Sequence, residues 1–129
     1  MNETMIKRGF VAAAAMNIGG VMLFSKGLTN TALMETDPVV MSSFGLIMIM
    51  VWGLAYLGAA FTTGSLKWLA GAFAIEKLAY VVAWVTWVSS HSLQAVYAED
   101  LFAGIFYSIY GLNDGLFMLF FAWVYFRAR

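Results

Sequence analysis

The chain has 129 residues, 63% of them hydrophobic and 11% charged, with seven basic and seven acidic residues and no net charge. So apolar a composition at this length excludes an ordinary water-soluble domain, which could not bury that much surface. Cysteine is absent, which excludes disulfides, thiolate metal sites and cysteine nucleophiles.

Four long apolar stretches fill the sequence, at about 9–29, 38–62, 67–89 and 101–126. Each reaches the ~20 residues that cross a hydrocarbon core, the first by letting its ends snorkel. Residues 1–8 place Lys7 and Arg8 ahead of the first stretch in the manner of a signal peptide. Phe24-Ser25-Lys26 is a poor cleavage site, so an uncleaved first helix is expected. Asp37-Pro38 predicts the start of the second span, with Asp as N-cap and Pro at the first helical position. Thr62-Thr63-Gly64-Ser65 reads as a tight turn into the third span. The connection 89–100 contains no helix breaker and predicts either an extended helix or a short amphipathic turn.

The balanced charge is distributed asymmetrically. With four spans, one side of the membrane receives Lys7, Arg8, Lys67, Arg127 and Arg129 against Glu3. The other receives Glu35, Asp37, Glu99 and Asp100 against Lys26. The positive-inside rule then puts both termini in the cytoplasm. The expected fold is an all-α membrane protein of one domain: a four-helix up-down-up-down transmembrane bundle, both termini inside, in a bacterial inner membrane. This plan, with a first helix ending in Gly19-Gly20 and Lys26-Gly27, is similar in outline to several families of small bacterial membrane proteins, DoxX-like ones among them. The likeness is one of topology, and no residue role follows from it.

Glu76, Lys77 and Asp114 interrupt the apolar stretches at a depth where charge costs ~2.5–3.5 kcal/mol per group. At ~1.5 Å per residue, Asn17 lies roughly 12 Å, Glu76 roughly 13 Å and Asp114 about 19 Å from the basic edge. Trp52 and Tyr56 of the second span reach similar depths as hydrogen-bond donors. Polar groups there must face inward. Phe73, Glu76, Tyr80, Trp84 and Trp87 form one stripe at helical spacing, and Tyr107, Tyr110, Asp114, Phe117 and Phe121 another. Facing each other, they would line an aromatic cleft with a carboxylate on each wall. Gly104, Ser108, Gly111 and Gly115, with Gly19 and Gly20, are expected to let helix backbones approach.

Two readings of this polar core follow. In one, Lys77, Asn17 and Asn113 neutralise and hydrogen-bond the acids and merely fix helix register. In the other, two acids against one base leave a surplus carboxylate that takes a proton, a small cation or the head of an amphipathic, lipid-like ligand. The candidate site residues are Glu76, Asp114, Lys77, Asn17, Asn113, Tyr80, Tyr110, Trp84 and Trp52. They point to a binding or transport protein; a non-catalytic accessory subunit is the alternative, and a membrane enzyme ranks behind both. No metal or cofactor set is legible, because His91 is the lone histidine and sits among serines in a loop. Nine methionines show no ligand spacing and read as packing residues. Gly111-Leu112-Asn113-Asp114-Gly115 lacks the lysine and hydroxyl of a phosphate loop and the alternating oxygens of a calcium loop. The partners expected are the bilayer, a small ligand, and either a second copy or another membrane subunit; nothing fits nucleic acid.

Overall fold

A computed structural model describes residues 3–128, and among these only helices and connecting turns occur. In chain order the helices are α1 (Glu3–Phe24), α2 (Thr31–Thr36), α3 (Ser43–Ala60), α4 (Lys67–Ser90), α5 (Leu93–Glu99) and α6 (Leu101–Arg127). α1, α3, α4 and α6 are long and apolar enough to cross a membrane. All four run without proline, whose one occurrence, Pro38, falls in the connection before α3.

Two boundaries differ from expectation, each for a local reason. Asp37 and Pro38 do not open the second long helix. Asp37 accepts from the Val40 and Met41 amides and closes a single turn, after which Ser42 restarts the chain as N-cap of α3, its Oγ accepting from Gly45 N at 3.0 Å. Gly45 makes the bend possible, since a Cβ there would overlap the Val40 carbonyl. α1 likewise ends at Phe24, short of residue 29. Lys26, Gly27 and Leu28 take left-handed φ values of 52°, 68° and 67°, which cost about 1–2 kcal/mol at each non-glycine position. Ser25 holds the turn together: its Oγ accepts from Leu28 N and its carbonyl from the Thr29 and Asn30 amides. The connection 89–100 resolves into a break at His91 and the separate helix α5, N-capped by Ser92 and packed along α6.

The long helices associate as two pairs. α1 lies along α3 and α4 along α6, while α1 meets α6 over a shorter stretch. α1 and α3 approach closely at Gly53 of α3, where a Cβ would come 3.0 Å from Asn17 Cβ and 3.3 Å from the Ala14 carbonyl. The glycines singled out from sequence behave otherwise. Gly111 and Gly104 accommodate the rings of Trp84 and Tyr97 rather than a helix backbone, and Gly19 and Gly20 face open space. An aromatic ring needs a recess of that depth, so a small-residue ridge on a chain this rich in aromatics fills with side chains first.

The core divides into two apolar clusters. One gathers Phe10, Tyr56, Phe73 and Phe121, with Phe10 and Phe121 rings 5.2 Å apart and Tyr56 and Phe73 rings 4.8 Å apart. The other gathers Val21, Leu33, Met41, Trp87 and Tyr107 beneath α2 and α5. Asn17, Glu76, Lys77 and Asp114 are all buried between the two clusters in sequence order along their helices. Large apolar side chains such as Ile75, Leu78, Leu116 and Leu119 point outward, the surface a bilayer would cover.

Candidate functional site

Lys77 is the centre of the polar layer. It is 1% exposed, and its Nζ donates to Asn17 Oδ1 and to Asp114 Oδ1, both at 2.9 Å, while lying 5.2 Å from the centre of the Tyr56 ring. Asn17 passes the chain on by donating from Nδ2 to the Ile49 carbonyl of α3 at 2.9 Å. Asn113 Nδ2 reaches the same Asp114 oxygen at 3.3 Å. One ammonium thus bridges α1, α4 and α6, and a buried ion pair of this kind persists only when its hydrogen-bonding capacity is met.

Glu76 stands apart from that chain. About 100° separates adjacent residues around a helix, so while Lys77 turns to Asp114, Glu76 turns to α3 and accepts from the Tyr56 hydroxyl. Glu76 Oε2 is buried without a partner, and so is the Tyr110 hydroxyl. Of the two acids, Lys77 hydrogen-bonds Asp114, and Glu76 takes the Tyr56 hydroxyl instead. The Tyr56–Glu76 pair adjoins the group of Asn17, Lys77, Asp114 and Asn113 through the Tyr56 ring, which faces the Lys77 ammonium, and through the Asn17 side chain beside the Tyr56 hydroxyl.

The expected aromatic cleft between α4 and α6 is closed by the rings themselves. Trp84 lies over Gly111 and donates from Nε1 to the Tyr107 carbonyl at 2.7 Å, with Tyr110 edge-on to it at 6.5 Å. Tyr80 joins the cluster around these rings, and Trp52 packs edge-on against Phe73 at 6.1 Å. Open space lies instead between α1 and α6: a cleft of about 50 Å³ bordered by Asn17, Gly20, Tyr110, Asn113 and Asp114. That is room for water or a small ion. Among the described residues no three His, Asp or Glu side chains converge as a metal site would require.

Sequence reasoning set Tyr56 beside Trp52 as a donor but left it out of the site; the structure makes Tyr56 the partner of Glu76. Their four-residue spacing put both on one face, and only the rotation of α3 decides which reaches α4. A second polar cluster lies at the α2 and α5 end, on the side that the sequence makes rich in acids. There Asp100 caps α6, pairs with Lys26 at 2.9 Å, and accepts from buried Asn30 at 2.8 Å. The Lys26 hydrogen bond, then those of Ala103 N–H and Asn30, hold the Asp100 carboxyl down at about 2. Nearby, the exposed His91 stacks on Trp87 with ring centres 5.1 Å apart. Comparison with protein-family models, curated proteins and solved structures finds no match.

Proposed function

We propose that this is an integral membrane protein of the binding or transport class, in which Glu76 exchanges a proton at the seam between two helix pairs. The observation that carries the reading is the division of partners: the one buried ammonium is committed to Asp114, while Glu76 holds a tyrosine hydroxyl and an oxygen without a partner. One proton balances the surplus charge and needs no cavity. The about 50 Å³ cleft beside Asp114 also suits water or a small cation better than a lipid-like head.

The proposal includes an up-down-up-down arrangement with both termini cytoplasmic. Its support is the pairing of Phe10 with Phe121 and of Phe24 with Phe102, which runs α1 against α6, together with the excess of Lys and Arg on one side. The alternative, an accessory subunit whose polar core fixes register, is favoured by one observation: the Lys77 unit pairs one cation with one anion and ties three helices by hydrogen bonds. The two readings meet at Glu76. Infrared difference spectra of liposome-reconstituted protein should show a protonated-carboxyl band on acidification that Glu76→Gln removes. An identical band in the variant would leave only the register-fixing reading.

A further inference from the structure

We infer that the cleft at the opposite end from α2 and α5 binds a phosphate group. Three segments distant in sequence converge there: the start of α1, the turn 62–66 and the end of α6 enclose about 810 Å³, a volume typical of small-molecule sites. Lys7, Arg127, Thr62, Thr63 and Ser65 border it, with Glu3 as the one acid. Neither Lys7 nor Arg127 carries an ion pair among the described residues. The α4 N-terminus opens into the same cleft at Leu66, and no side chain caps it. Lys67 N donates to Ser65 Oγ at 3.2 Å, while the first-turn amides beyond it lack an intrahelical acceptor and carry the positive end of the helix dipole.

Phosphate chemistry fits this donor set better than a carboxylate does. Several oxygens are offered at once to a planar guanidinium fork, an ammonium, hydroxyls and backbone N–H groups. The volume exceeds what a bare ion needs and leaves room for an esterified group. On the proposed topology the cleft lies at the level of inner-leaflet headgroups, where polybasic segments meet anionic lipid. A membrane phospholipid and a soluble phosphate ester share this chemistry. The inference does not depend on Glu76 and stands or falls separately from the proton reading.

Binding of short-chain phosphatidylglycerol, glycerol phosphate and short-chain diacylglycerol to the full chain in detergent tests it. Phosphatidylglycerol should bind at least tenfold tighter than diacylglycerol, which lacks the phosphoglycerol headgroup. The double substitution Lys7→Gln with Arg127→Gln should weaken it at least tenfold, and Glu3→Gln should tighten it severalfold. Glycerol phosphate binding as well as the lipid would assign the site to soluble esters; binding of the lipid alone would assign it to the bilayer. Equal affinity for diacylglycerol, unchanged affinity in the double variant, or binding of neither phosphate compound overturns the inference.

Discussion

Replacing Lys77 by Met keeps the apolar stem and deletes the ammonium that joins three helices. At an effective dielectric of ~20, opposite charges 2.9 Å apart attract by about 6 kcal/mol, much of it offset by the desolvation of both groups. Losing only the cation leaves the Asp114 carboxylate, 8% exposed, and the Asn17 carbonyl facing a methyl group. The expected loss is about 3–5 kcal/mol, the usual cost of orphaning a buried charge. Asp114→Asn should lose a similar amount, because it strands Lys77. The combination of the two should lose less than the sum by about 1–3 kcal/mol, since the pair then leaves together. Thermal unfolding in detergent, followed by circular dichroism, measures all three variants against wild type. Effects that add within about 0.5 kcal/mol would refute the coupling, and with it the account of how α1, α4 and α6 are joined.

Tyr56→Phe removes the hydroxyl donated to Glu76 and should cost about 1.5–3 kcal/mol in the same assay if the acceptor is charged; Trp52→Phe, which lies on the same face without reaching Glu76, should cost less. Gly111→Ala should destabilise by about 1–3 kcal/mol through overlap with the Trp84 ring. Gly19→Ala, with nothing within 4 Å of the new methyl, should instead be neutral or stabilise by up to about 1 kcal/mol. For the Asp100 cap the sign follows from a depressed folded value: its contribution is complete above about 4 and lost as pH falls toward about 2. The stability difference between wild type and Asp100→Asn should hence be constant from pH 7 to 5 and shrink only below about 4; a change between 7 and 5 would contradict this role for Asp100.

The four long helices were legible because hydrophobic length at this scale has one economical meaning, and the buried positions of Asn17, Glu76, Lys77 and Asp114 followed from the cost of facing them outward. Pairing was less legible. Glu76 and Lys77 are adjacent, so a helix rotation of about 100°, one residue's worth, exchanges their partners, and no sequence signal sets that rotation. Tyr56 was hidden by the same ambiguity beside Trp52. Gly53 gave no signal, since a single glycine in an apolar run looks like any other until the Asn17 side chain is seen against it. The start of α3 misled because Asp37-Pro38 does cap a turn, and only the Ser42 and Gly45 contacts reveal that the turn stops after one cycle.

The division into two helix pairs also sets an order of assembly. α1 and α3 are successive long helices, as are α4 and α6, so each pair can form as soon as its own segment has been synthesised and inserted. The first pair enters carrying only neutral polar groups, Asn17 and Tyr56, toward the seam. The second brings two acids and one base, but Lys77 and Asp114 belong to the same pair and can neutralise each other before the halves meet. Lys77 must still wait for the other half to supply Asn17, and Glu76 for its hydroxyl. The carboxyl proposed to exchange a proton is thus the acid that gains its hydrogen-bond donor at the last docking step, and co-expressed halves divided at the turn near Gly64 would report that step directly.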